Sequence, residues 1–319
     1  MSLASLNNKK YEEVLRHYNV NFEATLFTII EIGFITNRHV ILTTDLISEV
    51  SKYIQLVSSS VFGILWPEVF SCNENTEWSD IGDAFHNSKV LILTDFNRTC
   101  RDVQAYLLEG LMKGVFTFPD KDQGTERVIR LPESFHVFLV NRQDSNDKDN
   151  LLYSLKDYFF FQYSFTTEDE SDFSIKIRDL EYLPRESITT LITKDDLQSY
   201  RTLLSEVKII PDLKVYMENI VIFLRTHRVV RKGISPRTVK NFDLLVRALC
   251  VLDSYSFATP SLISLAARTL FPLKVELVTV QDEPSLHYGS DINLLKKWLP
   301  KWNTEMVIED VLTAVPSPL

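Results

Sequence analysis

Two short apolar segments of this chain are each followed at once by residues whose side chains could do chemistry. Residues 39–43 (HVILT) precede Thr44 and Asp45, and residues 89–94 (KVLILT) end next to Asp95. Apolar runs of this length are typical of buried strands, and a strand followed by a glycine-rich turn and a helix is where many nucleotide-binding proteins cradle phosphate. The first chemistry to consider is therefore nucleotide binding or hydrolysis at the ends of these strands.

The phosphate-binding pattern itself is missing. A phosphate-binding loop needs closely spaced glycines followed by Lys and Ser or Thr, but residues 43–48 read TTDLIS and the chain has no Gly-Lys-Ser/Thr sequence. None of the 8 glycines forms a GxGxxG pattern, and Asp45 would repel a phosphate. The second strand should end in two carboxylates, yet Thr94 and Asp95 supply one. We interpret Asp95 as a turn or helix-capping residue rather than a catalytic base.

Metal-dependent and nucleophilic catalysis have no support in the sequence either. The 6 histidines show no HExxH spacing and the 3 cysteines no CxxC spacing, so we expect reduced thiols and no metal centre. There is no GxSxG elbow for a serine nucleophile. We expect His39 and His136 to be structural histidines, and Cys100, beside Arg98 and Arg101, to be an ordinary, partly buried thiol.

A group of basic residues between positions 225 and 240 is the best candidate for an interaction surface. Its members are Arg225, His227, Arg228, Arg231, Lys232, Arg237 and Lys240. Such a group could contact phosphates or an acidic protein partner. The alternative is a solvated rim whose cations form salt bridges to the rest of the chain, which is acidic. A net charge of −9 argues against nucleic-acid binding by the whole surface.

These residues have to be positioned by two kinds of structure. Up to about residue 165, apolar strands alternate with amphipathic helices. This alternation predicts an α/β layer with a largely parallel sheet. Asp45 is predicted to cap the helix after the first strand. The acidic segment 166–172 is predicted to be a linker. From Thr193 onward the periodicity is helical, with Ser235-Pro236 and Thr259-Pro260 as helix starts.

The helical part resembles a known family. Residues 193–277, including RKGISPRTVKNFDLLVRALCVLD and ATPSLISLA, are similar to the helical lid of the MoxR and magnesium-chelatase branch of AAA+ ATPases. Upstream, residues 91–118 and the segment FHVFLVNRQD resemble the second-strand and sensor-strand regions of that branch. The resemblance implies that the carboxylate pair falls on Thr94 and Asp95, and the lid arginine on Arg237. The polar sensor would fall on Asn141, or on Arg142 if the register moves by one residue. The phosphate loop would fall on residues 43–48, where the necessary residues are absent.

A second resemblance covers nearly the whole chain. The segments FLRTHRVV, FPLKVELV and LHYGSDINLLKKWL are similar to the fungal maintenance of telomere capping protein 2 family, which implies a role in telomere capping with no established enzymatic step. We therefore expect a non-catalytic AAA+-like protein that acts through protein contacts. The alternatives are a nucleotide-binding switch that does not hydrolyse ATP, and weak nucleic-acid binding through the basic residues 225–240.

The remaining expectations concern organisation and context. We predict a degenerate AAA+-like α/β core over residues 1–185, a helical lid over 193–280 and a C-terminal helical extension over 281–319. Without a phosphate loop, no cofactor is expected, ATP included. No window approaches the roughly 20 apolar residues of a membrane span, and no secretion signal is recognisable, so we expect an intracellular protein of the nucleus or cytoplasm. The sequence identifies neither the protein partner nor the oligomeric state.

Overall fold

Five parallel strands form the centre of the first of two units. The structure is a computed structural model that describes residues 3, 6, 8–18, 22–64, 66–84, 89–119, 126–142, 150–166, 170–181 and 191–318. The first unit spans Asn7–Thr202, and the second spans Leu203–Leu319 together with the described residues of Met1–Leu6. We call them the α/β unit and the helical unit.

The α/β unit follows the predicted alternation of strands and helices. Its strands are β1 (Val40–Thr43), β2 (Glu68–Ser71), β3 (Val90–Thr94), β4 (Val115–Pro119), β5 (Glu126–Arg130), β6 (His136–Asn141) and β7 (Phe161–Ser164). Its helices are α1 (Lys9–Tyr18), α2 (Ala24–Thr36), α3 (Ile47–Ser60), α4 (Trp78–Ala84), α5 (Arg101–Lys113), α6 (Tyr153–Tyr158) and α7 (Glu170–Glu181). Helix α8 (Lys194–Glu206) runs across the boundary of the two units.

The sheet has the order β2-β3-β6-β1-β7, and all its pairs are parallel. Its three inner strands, β3, β6 and β1, are buried almost throughout, as expected for a parallel sheet with helices on both faces. In this register Thr43 lies beside Asn141, and Thr94 beside Val140. The carboxyl ends of the central strands therefore meet at one edge. Strands β4 and β5 form a separate antiparallel hairpin.

Two local predictions in this unit were wrong, and one strand was not predicted. Asp45 does not cap α3, because Leu46 is the N-cap residue and it is the Thr44 hydroxyl that accepts a hydrogen bond from the Leu46 backbone N–H. The segment predicted to be an acidic linker includes the start of helix α7 at Glu170. No strand was predicted at β2, which lies at the edge of the sheet and whose residues are mostly exposed.

The helical unit contains α9 (Pro211–Thr226), α10 (Pro236–Leu252), α11 (Pro260–Leu270), α12 (Ile292–Trp298) and α13 (Thr304–Ala314), with a small antiparallel pair, β8 (Val230–Lys232) and β9 (Glu276–Leu277). The predicted caps are confirmed: Ser235 Oγ accepts from the Thr238 backbone N–H at 3.1 Å, and Thr259 Oγ1 from Leu262 at 3.4 Å. The sequence predicts an apolar face of α10 made of Val239, Leu244, Leu245, Ala248 and Leu252. Its last three members are buried, but Val239 and Leu244 are half-buried, and Phe242, Val246 and Leu249 lie in the core instead. The three-part division predicted from the sequence stays a prediction.

Candidate functional site

The carboxyl edge of the sheet is the first place to look for a site, because ligands of open parallel sheets bind outside the carboxyl ends of the strands. Hydrogen bonds tie the strand ends together here. The backbone N–H of Thr44 donates to the Asn141 carbonyl at 2.9 Å, and that of Asp95 donates to the Val140 carbonyl at 2.9 Å. The structure thus brings together Asp95 and Asn141, two of the residues that the resemblance singled out.

The connection between β1 and α3 is short and closed. It consists of Thr44, Asp45 and Leu46, and residues 43–49 contain no glycine. The Thr44 hydroxyl is used by the Leu46 backbone N–H at 3.2 Å, and Thr43 Oγ1 accepts from the Gln162 side chain at 3.1 Å. A phosphate-binding loop presents several successive backbone N–H groups in a wide turn, and this connection has no such turn.

The charge around this connection also opposes an anion. Asp45 is exposed in the turn, and Glu49 lies in the first turn of α3, where its carboxylate accepts a 2.6 Å hydrogen bond from Ser48. A helix N-terminus attracts anions through its free N–H groups and its dipole, but two carboxylates already occupy that position. A phosphate would therefore meet like charge at the position that the resemblance assigned to the phosphate loop.

Three buried polar atoms at the same edge have no hydrogen-bond partner: Asp95 Oδ1, Asn97 Oδ1 and Asn141 Nδ2. Asn141 is 4 % exposed, and its Oδ1 accepts a long hydrogen bond of 3.4 Å from the Asn97 backbone N–H. Asp95 has a left-handed backbone, with φ 51° and ψ 32°, which a non-glycine residue rarely adopts. Unpartnered buried polar groups are uncommon and mark either strain or a binding position.

The donor set at this edge does not fit a magnesium-nucleotide complex. Asp95 is one carboxylate, and the position before it is Thr94, whose hydroxyl donates to Ser71 Oγ at 3.1 Å. Burial, with a smaller contribution from the charge of Asp95, raises the pKa of the neighbouring Cys72 thiol to about 12, so this sulfur stays protonated and is a poor ligand. Within the part of the chain that the structure describes, no group of three or more His, Cys, Asp or Glu residues could hold a metal.

His39 and His136 adjoin the sheet as predicted, but the Nδ1 atom of His136 is buried without a hydrogen-bond partner. His39 Nδ1 accepts from the Val137 backbone N–H at 3.1 Å. Burial lowers the pKa of His39 to about 4 and that of His136 to about 3, so both stay neutral at physiological pH. The Cys100 prediction was wrong in one respect, because this thiol is exposed rather than partly buried.

The basic residues 225–240 all lie in the helical unit, and most of the cations have partners there. Arg231 contacts Asp282 at 2.9 Å and Glu276 at 3.7 Å, and Lys232 contacts Glu276 at 3.0 Å. Arg225 has a different role: its Nε donates to the Ile234 carbonyl at 2.9 Å, which closes the turn between α9 and α10.

Two aromatic side chains extend this basic surface. The Arg228 guanidinium lies 4.8 Å from the centre of the Trp298 ring and 3.5 Å from a Glu283 oxygen. His227 contacts Asp310 at 3.2 Å and packs against Trp302. The acidic partners come from residues 276–310 of the same unit. The predicted alternative of a salt-bridged rim is therefore seen in part, with partners inside the helical unit.

The last two predicted positions stand at the start of α10. Arg237 follows Pro236 in the first turn and is exposed, and Lys240 is exposed one turn later. Sequence reasoning assigned no role to Trp298 beside Arg228, and it placed Asn97 only within residues 91–118, which resemble the second-strand region. Asn97 stands two residues after Asp95, but no pattern marks its amide as buried.

Comparisons with known proteins give relatives and a fold. No protein-family model matches the chain. A Vanderwaltozyma polyspora protein named maintenance of telomere capping protein 2 is 29% identical over 144 residues, covering 38% of this chain and 41% of the relative. Its namesake from Saccharomyces cerevisiae is 32% identical over 103 residues, covering 31% and 29%. The matched stretch is thus less than half of either relative. The predicted resemblance to these yeast proteins is confirmed over 31% to 38% of this chain, and its predicted extent over nearly the whole chain stays a prediction.

The fold is shown by a solved structure. A proposed ATPase from Cytophaga hutchinsonii superposes with a TM-score of 0.75 over 98% of this chain and 96% of its own, at 16% sequence identity. The predicted AAA+-like arrangement, a parallel sheet flanked by helices and followed by a helical region, is confirmed. None of the described helices has both the length and the apolar character of a membrane span.

Proposed function

We propose that this chain is a non-catalytic AAA+-like protein that acts through protein contacts, in the telomere-capping context named for its yeast relatives. The observation that carries the proposal is the three-residue connection between β1 and α3. It has no glycine, it contains the carboxylate of Asp45, and its Thr44 hydroxyl accepts a hydrogen bond from the Leu46 backbone N–H. Without a phosphate cradle and a second carboxylate, the fold has no means of positioning ATP for hydrolysis. A nuclear location follows from the same context.

The first test is hydrolysis by the purified full chain with ATP and magnesium. We expect the rate of phosphate release to equal that of buffer without protein, both for the unchanged protein and for Arg237→Ala. Arg237 is the lid position that would face nucleotide phosphates, so it is the informative variant. Magnesium-dependent hydrolysis that Arg237→Ala abolishes would overturn the proposal, whereas an activity equal in both proteins would indicate a contaminant.

The second test addresses protein contacts. Affinity purification from yeast, followed by identification of the captured proteins, should recover the same partners in replicate experiments. Charge reversal of Arg228 and Arg231 tests whether the basic surface takes part, and charge reversal of Lys208 and Lys214 is the matched control, since both are exposed and lie outside residues 225–240. Thermal unfolding of each variant separates lost binding from lost structure, because Arg228 and Arg231 also form internal ion pairs.

A second candidate is nucleotide binding without hydrolysis, which the unpartnered atoms of Asp95, Asn97 and Asn141 favour. Calorimetry with adenosine and with ATP up to millimolar concentration would detect it, and Asn141→Leu should abolish the heat of binding. No heat at these concentrations would eliminate this candidate. Nucleic-acid binding through residues 225–240 has less support, because Arg231 and Lys232 already form ion pairs with acidic side chains. If this binding occurs, the affinity for nucleic acid must fall steeply as the salt concentration rises.

A further inference from the structure

An aromatic pocket lies in the α/β unit between α4, α5 and β4. Its volume is about 630 Å³, within the roughly 300–1,000 Å³ that is usual for ligand sites. Trp78 and Tyr106 form its wall, Phe116 and Gly110 its floor, and Glu77 and Glu109 stand at its rim. These residues are different from those at the carboxyl edge of the sheet.

The floor exists because position 110 is glycine. A Cβ atom there would lie 1.9 Å from two carbon atoms of the Phe116 ring, far inside van der Waals contact. Without that Cβ, the Phe116 ring packs directly on the backbone of α5, and β4 approaches the helix closely. The pocket is thus set by the fold and does not depend on the rotamer of one surface side chain.

The wall is a stack of aromatic rings that ends in solvent. The Trp78 ring lies 4.9 Å from Phe118 with planes 16° apart, and 6.0 Å from Tyr106 with planes 21° apart. A hydrogen bond from Trp78 Nε1 to the Thr117 carbonyl, at 3.1 Å, fixes the indole in this orientation. Trp78 is buried, but Tyr106 is 53% exposed. The stack therefore offers an open aromatic surface at its end.

The rim supplies negative charge beside this surface. Glu77 is exposed next to Trp78, and Glu109 is exposed on α5, where Lys113 pairs with it. Two carboxylates and one ammonium leave the lining with a net charge of −1, in a chain whose net charge is −9. Lys113 is 66% exposed and reaches Glu109 from the same helix, so an incoming cation can compete for that carboxylate.

We propose that this pocket binds an arginine side chain presented by a basic segment of a partner protein. A guanidinium is planar, so it stacks on an aromatic ring as the next layer and still donates in its own plane to carboxylates. A lysine ammonium can use the charge but not the stacking. This surface is separate from the basic residues 225–240, and its occupation depends neither on ATP nor on the proposed telomere context.

The test uses three short peptides and the full chain. Tetra-arginine is the probe, tetra-citrulline is its neutral counterpart of nearly the same shape, and tetra-lysine keeps the charge without the planar group. In calorimetry or fluorescence titration at low salt we expect tetra-arginine to bind at least about tenfold more tightly than tetra-citrulline, the size of effect that a cation–aromatic contact supplies. Tetra-lysine should lie between them.

Matched variants locate the binding. Tyr106→Ala and Glu77→Gln should each weaken tetra-arginine binding by about fivefold, whereas Tyr106→Phe should retain it. The controls are Met112→Ala, an exposed apolar residue on the same helix, and Glu74→Gln, which removes the same charge three residues away without touching the pocket. The altered side chains are exposed, so folding should be preserved, and thermal unfolding checks this.

Three outcomes would overturn the proposal. Equal loss of affinity in Glu77→Gln and Glu74→Gln would mean general attraction to an acidic surface. Binding that Tyr106→Ala leaves unchanged would place the peptide elsewhere. Equal affinity for tetra-citrulline would show that the pocket does not select a cation.

Discussion

Replacing Glu31 by Gln should stabilise the protein at neutral pH and remove part of the pH dependence of its stability. Glu31 lies in α2, a helix buried on nearly every side, and its side chain is fully buried. Asn8 donates to one carboxyl oxygen at 2.6 Å, and the other oxygen has no partner. Lys10 and Tyr200 are the other titratable groups that act on it.

The magnitude follows from the pKa. Burial raises the pKa of Glu31 from 4.5 to about 7, against smaller opposing effects of Asn8 and Lys10. At 1.36 kcal/mol per pKa unit this difference corresponds to about 3 kcal/mol. The folded chain holds its proton to a higher pH than the unfolded chain. The free energy of unfolding is therefore highest below pH 4.5 and falls as the pH rises to about 7, where the loss is complete.

Gln does not titrate, and its oxygen can accept the same hydrogen bond from Asn8. Urea unfolding of both proteins between pH 5 and pH 8 should therefore show a difference that grows with pH in favour of Glu31→Gln, towards about 3 kcal/mol. Glu133→Gln, at an exposed position, should show no such trend. A difference that stays constant from pH 5 to pH 8 would refute the reasoning, because it would mean that Glu31 is ionised and compensated within the fold.

Two further predictions concern packing and surface charge. Gly110→Ala should lower the free energy of unfolding by about 1–3 kcal/mol despite the better helix propensity of alanine, because the new methyl group would clash with the Phe116 ring. The control is Gly33→Ala, whose new methyl group would have its nearest contact at 3.4 Å and which should be nearly neutral. Equal losses of stability in the two variants would contradict the clash. Arg231→Glu should lower the free energy of unfolding, measured with urea, by less than about 1 kcal/mol, since the ion pairs that it breaks are half exposed. A larger loss of stability that added salt does not reduce would contradict this prediction.

The fold could largely be predicted from the sequence because its inner strands and capped helices leave strong local patterns. The apolar runs of β1, β3 and β6 mark strands that are buried on both faces, and Ser235 and Thr259 mark helix starts by their side-chain oxygens. Strand β2 and the start of α7 left no such signal. Both are mostly polar or exposed, and their structure depends on neighbours that are distant in sequence.

The candidate site was predictable in position but not in detail. The resemblance placed Asp95 and Asn141 at strand ends, and the parallel register then brings those ends to one edge. Nothing in the sequence shows that Asp95 has a positive φ or that the Asn97 amide is buried, because both follow from how the chain turns after β3. A sequence gives the identity of a polar group, whereas its missing hydrogen bond is a property of the packed structure.

The two charged surfaces illustrate the same limit and lead to opposite conclusions. Residues 225–240 form a basic cluster in the sequence. The acids that pair with Arg231 and Lys232 lie about 45 to 50 residues later in the chain. They meet these cations because β8 pairs with β9 and because of the turn that follows β9. The pocket beside Tyr106 was invisible as a pattern, since its two carboxylates and its rings come from separate elements. Arg231 and Lys232 are already paired and offer a partner little new energy. At the pocket, Glu109 is paired with Lys113, but Glu77 forms no ion pair among the described residues and the Tyr106 ring is half exposed. The second surface is therefore the stronger candidate for a protein contact.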